Sequence, residues 1–234
     1  MTLEQGGTAA LAEPSVERHS VTASKARIRP YRPEDLDDLY RICLLTGDSG
    51  ADGSRLYRDP KILGRLYAAP YGLFSPETAF VVEDDEGVAG YILGALDTRA
   101  FEATLDAAWW PTLRPHHADP AGTPPETWDA DQRAAYLFHH PFHAPRRVVS
   151  PFPSHLHIDL LPRLQGQGLG KRLIDLWLDM AAAKDSRGVH LGVSRANARA
   201  IRFYLAYGLD QLDLPIPGGP PALYFTRGFP SSRG

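Results

Sequence analysis

Cysteine is nearly absent: Cys43 stands alone in 234 residues, which excludes a disulfide framework within the chain. A cytoplasmic location is the simplest expectation. Also missing is any run approaching the ~18 consecutive apolar residues of a membrane-spanning helix, so no membrane association is expected. Neither charge dominates, with 25 Lys and Arg against 28 Asp and Glu for a net −3, and no long basic run occurs. That argues against a nucleic-acid partner. Residues 1–25 lack the basic start and apolar core of a secretion signal and read as a disordered or weakly docked tail. What is present, 43% hydrophobic and 23% charged residues, is the composition of a globular protein. At this length one domain with insertions is expected over 26–229, followed by a short tail at 230–234.

Apolar periodicity predicts a mixed α/β domain. Ala26 to Pro30 is a short strand, and Pro33-Glu34-Asp35 opens a helix to about Leu45, with Pro and two acids suited to a helix N-terminus. Its stripe Leu36, Leu39, Tyr40, Cys43, Leu44 places the cysteine in the core. A second helix is expected from Lys61 to Tyr67. Ala79–Glu83 and Val88–Ala95 flank a turn at 84–87 and predict a β-hairpin. From about Phe101 to Pro153 the pattern breaks down into a Pro-, His- and aromatic-rich insertion. It is expected to hold one or two short helices, to pack on the domain through its aromatics, and to form a lid over a substrate. The remainder predicts a strand at 155–161, a helix at 169–184, a strand at 189–193, a helix at 196–207 closed by Gly208, and a hairpin from 211–214 to 222–227 around Pro215–Pro221.

The chemistry concentrates after residue 155. Gln165-Gly166-Gln167-Gly168-Leu169-Gly170 lies between a strand and a helix, the arrangement of a phosphate cradle. Closely spaced glycines bring backbone N–H groups near an anion, and the helix end adds partial positive charge. Lys171 and Arg172 in the first helical turn oppose the helix dipole unless a polyanion docks there. No Gly-Lys-Ser/Thr follows at Walker spacing, and no acidic residue ends the next strand as a dinucleotide fold would require. A glycine turn with no ligand accounts for the loop equally well when it is taken alone. Downstream, Asn197 and Tyr204 lie two helical turns apart, which would put a polar amide and a phenol on one face.

Here the chain resembles the GNAT acetyltransferase superfamily. Gln165, Gly168 and Gly170 match the pattern Gln/Arg-x-x-Gly-x-Gly/Ala, and Asn197, Ala200, Tyr204 and Gly208 match Asn-x-x-Ala-x-x-x-Tyr with a trailing Gly. A narrower likeness is to the acetyltransferase-like C-terminal domain of O-GlcNAcase and its bacterial stand-alone relatives. It rests on Pro33-Glu34-Asp35, the hairpin from Phe80 to Gly94, Trp110-Pro111, Asp159 and Phe203-Tyr204. The eukaryotic domain resembles a version that has lost the Gly-rich loop kept here. The resemblance implies a GNAT fold, a mixed central sheet flanked by helices with the insertion before the central strand, and acetyl-CoA as cofactor with no metal.

Site residues follow from that resemblance. The loop 165–170 with Lys171, the strand end at Leu160 and Leu161, and Asn197, Ala200 and Tyr204 are expected to bind cofactor. Tyr204 is the expected general acid for the departing thiolate. Asp159, a carboxylate in an apolar strand, is a candidate base for an acceptor amine or else the partner of an Arg in the insertion. His157, on the same strand face, is the second candidate base. His139, His140 and His143 surround Pro141 without the spacing of metal ligands, and Trp109, Trp110 and Trp128 are expected to cover the core. The expected activity is direct acetyl transfer to a small-molecule or protein amine. A binding module without efficient acceptor chemistry and a nucleotide-binding regulatory domain are the alternatives. Monomer and homodimer both remain open.

Overall fold

The computed structural model describes residues 26–212 and 222–230. The expected tail at 1–25, the turn at 215–221 and nearly all of the tail at 230–234 fall outside the described residues. Seven strands form one sheet: β1 (Arg27–Pro30), β2 (Phe80–Asp84), β3 (Gly87–Ala95), β4 (Ser154–Leu160), β5 (Gly188–Ser194), β6 (Asp210–Leu212) and β7 (Ala222–Gly228), in the order β1-β2-β3-β4-β5-β7-β6. Neighbours are antiparallel except β4 and β5, which run parallel. The latter pair meets only at Ser154–Val189 and His155–His190, although both strands continue beyond. Past those pairs the sheet is split.

Helices cover both faces. On one side lie α1 (Leu36–Leu45), α2 (Ile62–Tyr67) and α3 (Ala69–Phe74); on the other lie α8 (Leu169–Ala183) and α9 (Ala198–Tyr207). α1 buries Leu39, Ile42 and Cys43 at helical spacing, as the sequence predicts. A short 3₁₀ turn, Pro33–Asp35, precedes it. Asp35 accepts two hydrogen bonds of 2.7 Å from the Arg29 guanidinium and one of 2.8 Å from Arg32 N–H, tying β1 to the helix start. Burial by itself would raise that carboxyl, but these donors outweigh it and hold it below the usual range. α3 has no counterpart in the sequence reading, because Pro70 and Gly72 break the apolar period there.

α8 buries Leu169, Leu173, Ile174, Trp177, Leu178 and Ala181, while Met180, expected on that face, stays partly exposed. The helix lies close to β3: a Cβ on Gly94 would stand 2.5 Å from the Trp177 ring, so only glycine admits the indole there. The Trp177 Nε1–H donates to Thr78 C=O at 3.0 Å.

The insertion is more helical than the sequence suggests and begins earlier, at Thr98. It contains α4 (Thr98–Thr104), a π turn at Leu105–Trp109, α5 (Trp110–Leu113), α6 (Ala130–His139) and α7 (Arg146–Val149). Asp97 caps α4, and Asp129 forms a capping box with Gln132 on α6. These aspartates start helices that the proline-rich text obscures. The insertion packs on the domain through Phe101, Leu105, Trp110 and Phe138, all buried. Trp128 and Trp109 are less covered; Trp109 donates to Arg65 C=O at 2.9 Å. No helix among the described residues is long and apolar enough to cross a membrane.

Candidate active site

The glycine loop leaves β4 through a 3₁₀ turn at Pro162–Leu164 and enters α8 at Leu169. Gly166 and Gly168 have φ of +74° and +76°, the left-handed region that side chains disfavour. A Cβ at either position would meet nothing within 4 Å, so backbone conformation rather than crowding demands glycine, and the loop surface is open. Gly170 differs. A Cβ there would stand 3.1 Å from the Phe203 ring, so this glycine serves the contact between α8 and α9.

Six consecutive N–H groups, Gly166 to Lys171, find no acceptor among the described residues. α8 has no side-chain cap and no acid in its first turn. The turn thus presents a row of unmet donors at the positive end of a 15-residue helix, where a diphosphate fits. The glutamines brace this turn. Gln165 Nε2 donates to Leu160 C=O at 2.6 Å and its Oε1 accepts from Arg199, while Gln167 Nε2 donates to Arg163 C=O at 2.7 Å. Lys171 pairs with Asp175 at 2.6 Å, one helical turn on, which gives its charge a local partner as well. Asn197 also has a local task, its Oδ1 capping α9 by accepting from Ala200 N–H at 3.0 Å.

At the split, the two ends of β4 differ. Leu161 N–H donates to Ala89 C=O on β3 at 2.8 Å, and its side chain is buried. Amides alternate along an antiparallel pair, so Leu160 N–H points the other way, into the gap between β4 and β5. Leu160 C=O shares that direction and is met there by Gln165. Tyr204 is buried on α9 against Phe225, with ring centroids 5.3 Å apart. Burial pushes its phenol well above the ordinary value, and the Asp159 charge adds to the rise.

The period-two reading of β4 holds. His155, His157 and Asp159 share the face opposite Leu156, Ile158 and Leu160, and Tyr91 and Leu93 stand beside Asp159 and His157 on β3. Asp159 forms no ion pair among the described residues; it accepts from Tyr91 Oη at 2.7 Å. Burial raises its carboxyl to about 6 against the opposing hydroxyls of Tyr91 and Thr46. Burial and the neighbouring His190 lower His157 to about 4.

A cavity of about 550 Å³ lies between this face and the insertion. His157 lines it together with His155, His190, Tyr67, Tyr71 and Phe101; Asp159 is not part of its wall. The floor follows β4 and β5 to where they separate, reaching Ser194. His155, Tyr71 and His190 escaped the sequence reading. The signal available was an imidazole at 155 in phase with His157 and another, at 190, in an apolar strand. The three histidines at 139, 140 and 143 meet His117 C=O, Asp119 and Asp106 respectively, and no group of three or more metal-ligating side chains exists among the described residues.

The acetyltransferase (GNAT) family model matches residues 54–209. Protein O-GlcNAcase of Rattus norvegicus and of Mus musculus is 26% identical over 191 residues, covering 82% of this chain but 21% of theirs, so the chain spans about a fifth of the length of these relatives. The crystal structure of SsHAT is similar with a TM-score of 0.77 and 35% identity, over 87% of this chain and 98% of that one. The PaiA N-acetyltransferase of Thermoplasma acidophilum, solved with coenzyme A, shares the fold at a TM-score of 0.51 and 13% identity, over 87% and 99% of the two chains.

Proposed function

The chain belongs to the acetyltransferase (GNAT) family, and from that premise we propose that it transfers the acetyl group of acetyl-CoA directly to an amine within one domain spanning 26–229. The observation that carries this reading is the row of unmet amides from Gly166 to Lys171 beside the gap between β4 and β5. Acetyl-CoA supplies an acetyl group activated as a thioester.

In this reading the loop amides hold the diphosphate, with Arg199 beside them on Gln165. Leu160 N–H, free of β3, donates to the carbonyl oxygen as negative charge grows on it. The amine nitrogen bonds to the carbonyl carbon while the carbon–sulfur bond breaks. His157, neutral above about pH 4 and in the cavity wall, receives the amine proton. Tyr204 gives its proton to the departing sulfur. Asp159 accepts from Tyr91 Oη at 2.7 Å, and its charge adds to the rise that burial imposes on the Tyr204 phenol.

Release of free thiol from acetyl-CoA in the presence of an amine panel tests this. Tyr204→Phe is expected to lower kcat about 10²-fold with the KM for acetyl-CoA unchanged. Binding of acetyl-CoA with no amine acetylated by the parent protein would instead establish a binding module.

A further inference from the structure

The cavity wall specifies the acceptor more narrowly than "an amine". Taking the transfer reading as its basis, we propose that the acceptor is a small arylalkylamine, an amine on a short chain attached to an aromatic ring, and not a polyamine, a cationic sugar or a lysine side chain of a protein.

Charge is the first argument. Among the described wall residues Glu102 is the only carboxylate, and its charge is already paired with Arg99. Oε2 accepts from Arg99, and Oε1 accepts from Ala144 N–H at 2.7 Å. A second ammonium entering this space would find no counter-charge, and burying an unpaired cation is costly. A monoamine escapes that penalty because its nitrogen must be neutral to attack.

Hydrogen bonding is the second. His155 is saturated: Thr98 Oγ1 donates to Pro153 C=O at 2.7 Å, so the Nδ1–H of His155 donates to Thr98 at 2.8 Å and its Nε2 accepts from Tyr71 at 2.9 Å. His190 Nδ1 carries a hydrogen, because it meets Phe152 C=O at 2.7 Å. His157 has no hydrogen-bond partner among the described residues. Burial keeps all three imidazoles neutral. The wall therefore offers lone pairs for a neutral N–H and, among its described residues, no unpaired anion for a cation.

Shape is the third. Tyr71 stacks on Phe101 with centroids 4.6 Å apart, forming a fixed aromatic floor. Tyr67 and Phe142 line the same space yet remain 41% and 39% exposed, leaving ring surface for a ligand to cover. The volume falls within the ~300–1,000 Å³ of small-molecule pockets, and α4, α5 and α6 of the insertion contribute one of its walls.

The test uses the full chain with acetyl-CoA and four probes: 2-phenylethylamine, tryptamine, spermidine and a lysine-containing octapeptide. Thiol release gives kcat/KM, and calorimetric titration of 2-phenylethylamine into protein saturated with coenzyme A gives binding without turnover. The expected result is kcat/KM at least 100-fold higher for the two arylalkylamines. Phe142→Ala is expected to raise their KM about tenfold with little change in kcat, and Leu137→Glu, which adds a carboxylate to the wall, to shift preference toward spermidine. Faster turnover of spermidine or peptide by the parent would overturn the acceptor class and leave the transfer reading intact. Calorimetric binding of 2-phenylethylamine with no turnover of any probe would uphold the cavity's chemistry and overturn the transfer reading.

Discussion

Replacing Asp159 with Asn should make the protein more stable at alkaline pH. In the folded chain the carboxyl titrates near 6, against an ordinary value of 3.8. Between those pH values the folded state holds a proton that the unfolded state has released. Stability therefore falls as pH rises through this window, and the full penalty applies above it. At about 1.36 kcal/mol per unit, a difference of roughly two units amounts to about 3 kcal/mol; partial solvent access trims that to about 1–3. Asn keeps an oxygen for the Tyr91 hydroxyl, which donates at 2.7 Å, and carries no charge to desolvate. Urea unfolding of parent and variant at pH 8 and at pH 4 isolates this effect, since the buried imidazoles are common to both proteins and cancel in the difference. The variant should gain about 1–3 kcal/mol at pH 8 and lose most of that gain at pH 4. Equal differences at the two pH values, or a variant less stable at pH 8, would refute the reasoning.

Two further substitutions separate packing from binding. Gly170→Val should destabilise by about 1–3 kcal/mol in thermal or urea unfolding, because its Cβ meets the Phe203 ring at 3.1 Å, while coenzyme A affinity changes little in the fraction that folds. Asn197→Ala should cost about 1 kcal/mol through loss of the α9 cap, measured by urea unfolding; a change in the acetyl-CoA KM with stability unaltered would mean that the side chain serves the ligand instead.

Most of the fold was legible because its signals are local. The hairpin of β2 and β3, the α8 stripe and the C′ glycine at 208, with φ of +90°, each depend on a few adjacent residues. The alternation in β4 likewise placed His157 and Asp159 on one face. The insertion was harder to read because its short helices are begun by Asp97 and Asp129 and held by distant partners, such as the Asp131 carboxylate on Arg58 N–H and Asp59 N–H. Within the site, sequence spacing could nominate Lys171 and Asn197 but could not reveal that Asp175 and Ala200 N–H already engage them. Nor could spacing bring Tyr91 to Asp159, a contact between residues 68 positions apart.

The account stands on the loop amides, and calorimetric titration of coenzyme A at pH 7.5 tests them directly. The parent protein is predicted to bind with a Kd well below 1 mM. Gly168→Val, which forces a β-branched residue into φ of +76°, should bind at least tenfold more weakly. Absence of binding by the parent at millimolar ligand, or equal affinity in the variant, would contradict the account.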